Sequence, residues 1–399
     1  MTLGTFTARI TVAEILTIAG GHALPRKKGT NAMRYIRFPA LLLALSLLLT
    51  LAACKPAGEE PSGAPSEAAT EPAAPNSEPD PQPTQEPSAT PDCVEPGPGT
   101  RIAVLAGPTG VGAAKLLDSI DNNPAALQRS GYSYTIANDN SELVAGLSSG
   151  EIDIATVASN LAVNLYNKTD GGVKIIAVGT LGVLHILEGG GGTEINSVAD
   201  LSGRTVYAAG QGANPEYVLR YLLQENGLEM GKDVEVVFAD ASEISAKLLS
   251  GEIECAMLPV PAATAAIVKS EGKVRQAIDL TEAWDNLKNG SRLIMTAVVV
   301  RTEFAETYPD LVSHFLADYK DSIDFVNNNQ DAAAEIVAEL GIAPSAAIAQ
   351  KAIPQCHLAF LSGMDMVAAI SDYYSVLWSI DPAAVGGSLP DDGIYYVNN

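Results

Sequence analysis

From Thr100 onward, short apolar runs alternate with segments whose apolar positions recur every three to four residues. The run Arg101-Ile-Ala-Val-Leu-Ala106 leads into a glycine-rich turn, Gly107-Pro-Thr-Gly-Val-Gly112, and then a helical pattern, Ala113-Ala-Lys-Leu-Leu117. Such a sequence predicts a strand, a tight turn and a helix. Further strands are predicted at Tyr134–Ala137, Ile152–Val157, Val173–Val178, Thr205–Ala208 and Val234–Phe238. Strands alternating with helices predict an α/β fold with mostly parallel sheets. From Glu303 the pattern turns mostly helical, with breaks near Gly341–Pro344 and Pro354.

The pattern repeats. Ser149-Gly-Glu-Ile-Asp-Ile-Ala155 returns as Ser250-Gly-Glu-Ile-Glu-Cys-Ala256, an offset of 101 residues, and Arg101–Gly107 returns as Arg204–Gly210, an offset of 103. Two similar offsets in one order predict two α/β lobes of like construction. The period is too long for a stacked-repeat array.

Upstream of this body the composition changes twice. Phe38–Ala53 is a run of 16 mostly apolar residues behind Arg34 and Arg37. It is short for a spanning helix of about 20 residues and reads as an export signal. Its end, Leu51-Ala-Ala-Cys54, resembles a bacterial lipobox, making Cys54 the expected lipidation site and membrane anchor. Met33 looks like the natural start, leaving residues 1–32 as an over-extended one and 33–53 as the signal. Residues 54–99 are the expected tether: Lys55–Gly99 holds 12 prolines, nine acidic residues and no aromatic residue, a composition unable to bury a core. The chain's 399 residues carry a net charge of −23, which argues against nucleic acid as a partner.

Ligands of open α/β sheets sit beyond the strand C-termini, where helix N-termini present unpaired N–H groups. Four turns are candidates: Gly107–Gly110, Ser159-Asn160, Gly210-Gln211-Gly212 and Pro259-Val260-Pro261. The first is no P-loop, because no G-K-[ST] follows, and its glycines miss the dinucleotide spacing. Ser159 also suits a helix cap, and Pro261 a helix start. Gln211, an amide flanked by glycines, is the strongest ligand candidate. No metal or cofactor is expected. His185, His314 and His357 share no metal or catalytic spacing, so the chain reads as a non-enzyme.

These residues together resemble a known family, the type II solute-binding proteins of ABC importers, in particular the nitrate/sulfonate/taurine group that includes binders of thiamine-pyrimidine precursors. The resemblance rests on the lipobox, the acidic tether, Arg101–Leu117, Leu147–Asp153, Asp200–Arg204, Pro215-Glu216 with Leu219–Leu223 and Gly227, and Arg301–Phe304 with Tyr308-Pro309. It implies a type II periplasmic-binding-protein fold, a clamp of two lobes joined by two hinge crossings near Val183–Glu188 and Leu293–Val300. Lobe I would be 100–187 plus 294–399, and lobe II 188–293. Ligand contacts carried over are Thr109, Gly110, Ser159, Asn160, Gln211, Gly212 and Val260. The implied partners are a small solute and a membrane permease driven by a separate ATPase, with the protein a monomer on the extracytoplasmic face of a bacterial membrane. A sensory ectodomain using the same clamp is the alternative.

No Arg or Lys falls in the four turns, which disfavours a multiply charged anion. A small, partly apolar solute with polar acceptors fits, either an aliphatic sulfonate or a thiamine-pyrimidine-like compound. Trp284 and Trp378 read as core or surface residues before ring-stacking ones. Of the cysteines, Cys93 and Cys356 are a candidate disulfide pair, and Cys255 reads as a buried thiol.

Overall fold

The computed structural model describes residues 99–129 and 131–397. The signal, Cys54, the tether up to Pro98 and Cys93 lie outside the described residues. Two sheets organise the rest. The first takes β1 (Thr100–Leu105), β2 (Tyr132–Ala137), β3 (Ile154–Ala158), β4 (Val173–Thr180), β10 (Thr296–Arg301) and β11 (Leu358–Leu361) in the order β11-β4-β10-β3-β1-β2. The second takes β5 (Leu184–Glu188), β6 (Thr205–Ala208), β7 (Glu235–Phe238), β8 (Cys255–Pro259) and β9 (Arg275–Asp279) in the order β7-β6-β8-β5-β9.

Five strands of the first sheet correspond in order to the five of the second, and β11 is added at the edge of the first. In each sheet a parallel trio, β2-β1-β3 or β7-β6-β8, is followed by one antiparallel strand and then by the fifth. That antiparallel strand comes from a chain that has just crossed over: β5 enters the second sheet directly after β4, and β10 re-enters the first. Helices 140–149 and 241–250 both end on left-handed glycines, Gly150 and Gly251, each at φ 77° and ψ 16°. The internal echo is thus a real repetition of βα units, and the chain is α/β as expected. Strands β1, β3, β4 and β10 are almost wholly buried, as expected of sheets covered on both faces.

The sheets correct the hinge placement. Val183–Glu188 is not a linker: residues 184–188 form β5 inside the second sheet, and the crossing shrinks to Leu181–Val183. On the return, residues 296–300 belong to β10, so the connection ends at Met295. An unbroken apolar run reads alike as a buried strand or a packed linker, which is why the boundary slipped. The C-terminal stretch holds long helices, Pro309–Asn328 and Gly363–Ile380, but also β11, hidden from a helical reading by its four-residue length.

At the end of β4, Gly179 is the extra residue of a bulge, since Thr296 pairs with Thr180 and Ala297 with Val178. A methyl group on Gly179 would fall on the buried hydroxyl of Tyr319. Gly179→Ala should therefore destabilise the protein by about 1–3 kcal/mol through overpacking. Urea unfolding of the single variants and their pair will show a smaller loss when Tyr319→Phe is already present.

Candidate functional site

The four candidate turns each join a strand C-terminus to a helix: β1 to Pro108–Val111, β3 to Ser159–Lys168, β6 to Asn214–Glu225 and β8 to Ala262–Lys269. The first and third open alike, Gly107 at φ 95° and Gly210 at φ 94°, a region in which a side chain is strained. Within these turns the residues fall into different roles. Thr109 is buried, its hydroxyl donating to Leu105 O at 2.7 Å. Gly110 donates its N–H to Gly107 O, and a Cβ there would press on Leu105 O and Ile342. Gly212 donates to Glu216 Oε2 at 2.8 Å. Gln211 is exposed. Asn160 is 3% exposed, and its Oδ1 has no hydrogen-bond partner.

Two further carried-over contacts are likewise engaged by the protein itself. The Val260 N–H donates to Val183 O at 3.0 Å, tying its turn to the hinge crossing. Ser159 is fully buried. Its N–H donates to Met295 O, its hydroxyl donates to Ile294 O at 2.7 Å, and its carbonyl accepts from the Tyr374 hydroxyl at 2.6 Å. Its hydroxyl also accepts from the Asn214 amide at 2.8 Å. That contact runs from the β3 turn of the first sheet to the β6 turn of the second, so the crevice ends of the two sheets meet here.

Asn214 is the centre of this junction, and no local pattern in the sequence marks it. It is fully buried, donates also to Met295 O at 3.0 Å, and accepts from the Tyr373 hydroxyl at 3.4 Å. Around it pack Trp284 against Tyr221, ring centroids 4.8 Å apart, and Trp284 against Tyr373 at 5.6 Å. Trp284 is a core residue, while Trp378 is exposed. Truncating Asn214 removes three hydrogen bonds, each worth about 0.5–1.5 kcal/mol. Asn214→Ala should lower the thermal midpoint by several degrees, and Tyr373→Phe, which removes only the longest bond, by much less; differential scanning calorimetry will separate them.

A third inter-sheet contact lies beside the first crossing. The single turn Ile353–Cys356 packs near the Pro108–Val111 helix, and Gln355 Oε1 accepts from Thr264 Oγ1 of the 262–269 helix at 3.3 Å. The next residue but one, His357, sits at φ 42°. Its carbonyl accepts from Leu181 N at 3.1 Å, and its Nδ1 lies 2.6 Å from Gly182 O. Thr264, Gln355 and His357 fit no periodic pattern and escaped sequence reasoning.

Close by, His185 on β5 is 1% exposed, with neither ring nitrogen hydrogen-bonded and Asp279 Oδ2 3.6 Å away. Burial pulls its pKa below the usual 6.5; Asp279 opposes that and the nearby His357 adds to it. A histidine that resists protonation when folded costs stability as the unfolded chain begins to bind protons, from about pH 6.5 downward. The thermal midpoint should fall as pH drops from about 6.5 to 5, and a pH series will show a shallower fall in His185→Leu.

Among the described residues, no group of three or more His, Cys, Asp and Glu side chains could hold a metal. Cys255 and Cys356 are free and buried, and burial pushes both thiols up to about 12. A surface cavity of about 500 Å³ beside Arg301 and Thr169 lies at the other end of β4 and β10, away from these turns.

Two like-built α/β halves, joined by two crossings and meeting at their strand C-termini, have the periplasmic-binding-protein fold. Residues 133–333 match the family model described as NMT1/THI5 like, and the chain belongs to that family. Among solved structures, an ABC transporter from Parabacteroides distasonis is similar at 25% identity and TM-score 0.63, over 75% of this chain and 99% of that one. The periplasmic aliphatic sulphonate binding protein SsuA from Escherichia coli is similar at 17% identity and TM-score 0.57, over 70% and 87%. The alkanesulfonate-binding protein SsuA from Xanthomonas axonopodis pv. citri, bound to MOPS, is similar at 14% and 0.56, over 73% and 94%. No curated protein matches the sequence. Among the described residues no helix is long and apolar enough to cross a membrane.

Proposed function

We propose that the protein is the extracytoplasmic solute-binding component of an ABC importer, and not an enzyme. The observation that carries this reading is the junction of the two sheets: the β1 and β6 turns share their geometry at Gly107 and Gly210, and the Ser159–Asn214 contact bridges the β3 and β6 turns. A solute held between such halves stabilises the closed arrangement by its contacts with both. Lobe I would be built on the first sheet and lobe II on the second, with pivots at Leu181–Val183 and at the return before β10. A small, partly apolar solute is the cargo, an aliphatic sulfonate or a thiamine-pyrimidine-like compound. The closed monomer delivers it to a membrane permease with a separate ATPase. Lipidation at Cys54 would hold the protein on the outer face of the cell membrane, with the Pro-rich acidic segment as tether.

Gln211, Gly212, Asn160 and the Thr109-Gly110 turn are the ligand contacts in this reading, with Gln211 the one whose side chain is unengaged and exposed. Ligand binding to the native form raises the thermal midpoint. A thermal-shift screen should find a sulfonate or pyrimidine solute that raises it. Gln211→Ala should weaken that solute's binding several-fold with the free protein's midpoint unchanged; equal titration of variant and parent would remove Gln211 from the site.

A further inference from the structure

The Gly210–Gly212 turn of the second half and the Ser159-Asn160 turn of the first are tied together by a line of polar contacts separate from the Asn214 junction. It begins at Gly212, whose N–H donates to Glu216 Oε2 at 2.8 Å. The other oxygen of that carboxylate, Oε1, accepts from Arg220 Nη2 at 2.6 Å, one turn further along the 214–225 helix. The guanidinium then reaches out of its own half. Its Nη1 lies 3.6 Å from Oδ2 of Asp381, the residue that ends the 363–380 helix.

Asp381 is anchored in the first half. Its Oδ1 accepts from Ala383 N at 2.9 Å, capping the single turn Pro382–Val385. Two side-chain amides of the Ser159–Lys168 helix hold that turn: Asn164 donates to Ala384 O at 3.1 Å, and Asn167 to Val385 O at 2.9 Å. Asn164 also donates to Asn160 O at 2.8 Å, which returns the line of contacts to the crevice. Each of the two carboxylates gives one oxygen to a main-chain N–H and the other to Arg220. A planar guanidinium with two separate Nη groups suits that bridging position, whereas the single ammonium of a lysine does not.

Building on the solute-binding reading, we infer that Arg220 is a positioning residue: through Glu216 and Asp381 it fixes the Gly212 turn of one half relative to the Asn160 turn of the other. The two links differ in strength. Glu216 and Arg220 share a helix face and a short contact, with the Glu216 side chain 14% exposed, so they travel together with the second half. The Arg220–Asp381 contact is longer and its side chains are 30% and 33% exposed, which makes it the joint that yields first and the one that salt screens. Its importance lies in what it aligns, because turns already in place need less ordering when a solute arrives.

The test is made on the free protein. Gly212 is exposed, so protection of its N–H from hydrogen exchange rests on the bond to Glu216. Asp381→Asn keeps a capping oxygen for Ala383 but removes the charge that faces Arg220. In low salt it should speed exchange at Gly212, in the opposite half, about two- to fivefold as read by NMR, the range of a partly exposed ion pair. Arg220→Gln should speed it at least as much, and adding Asp381→Asn to that variant should change nothing further, as expected of one network. At 1 M salt, where charges are screened beyond about 3 Å, the parent and Asp381→Asn should exchange alike. A role confined to the 214–225 helix would leave Gly212 indifferent to Asp381→Asn. That result, or additive effects of the two substitutions, overturns the inference and leaves the solute-binding reading standing; a failed solute screen removes that reading and does not alter the exchange result.

Discussion

A single buried amide, that of Asn214, holds the arrangement together. Its two donors reach Ser159 of one half and Met295 at the end of the return crossing, and its acceptor meets Tyr373 from the C-terminal helix. A polar group buried without partners costs more than the same group satisfied adds. The network therefore has one satisfactory geometry, and that geometry sets the β3 turn against the β6 turn. Everything proposed of the crevice follows from the two halves being registered at this point.

The consequences divide the junction into two sides. Beside the return crossing, Tyr373 bonds Asn214 and Tyr374 bonds Ser159, and Trp284 packs against both Tyr221 and Tyr373, all four rings buried. Beside the first crossing, the contacts are fewer and half-buried: one hydroxyl-to-amide bond from Thr264 and the grip of His357 on a three-residue segment. Buried aromatic packing resists separation more than partly solvated hydrogen bonds do, so relative motion of the halves is easier on the second side.

Much of the fold could be read from the chain because its signals are local. Glycines that need positive φ, such as Gly107 and Gly210, and helix-ending glycines, such as Gly150 and Gly251, leave their mark at fixed distances from apolar runs. The two-lobe repetition rests on just these positions. The hinge was misplaced because β5, buried on both faces, carries no alternation to distinguish it from a packed linker. The site was legible in its turns but not in its junction. Ser159 looked like a donor awaiting a ligand, and only its tertiary partners reveal that every polar atom it offers is taken. Asn214, Thr264, Gln355 and His357 owe their importance to residues 50 to 180 positions away in sequence, and no spacing rule encodes such partners.

The exchange of β5 and β10 between the sheets reaches beyond ligand capture. Each of these strands is flanked on both sides, β5 by β8 and β9, β10 by β3 and β4. The second sheet is built from one unbroken stretch, 184–279, whereas the first takes β10 and β11 from chain that returns after the second is complete. A gene cut at either boundary would leave β5 to β9 together but part β10 from strands of the first sheet, exposing rows of unmatched backbone amides on that sheet alone. The halves are thus unequal: the second is continuous in sequence, while the first closes only once the chain has come back from it.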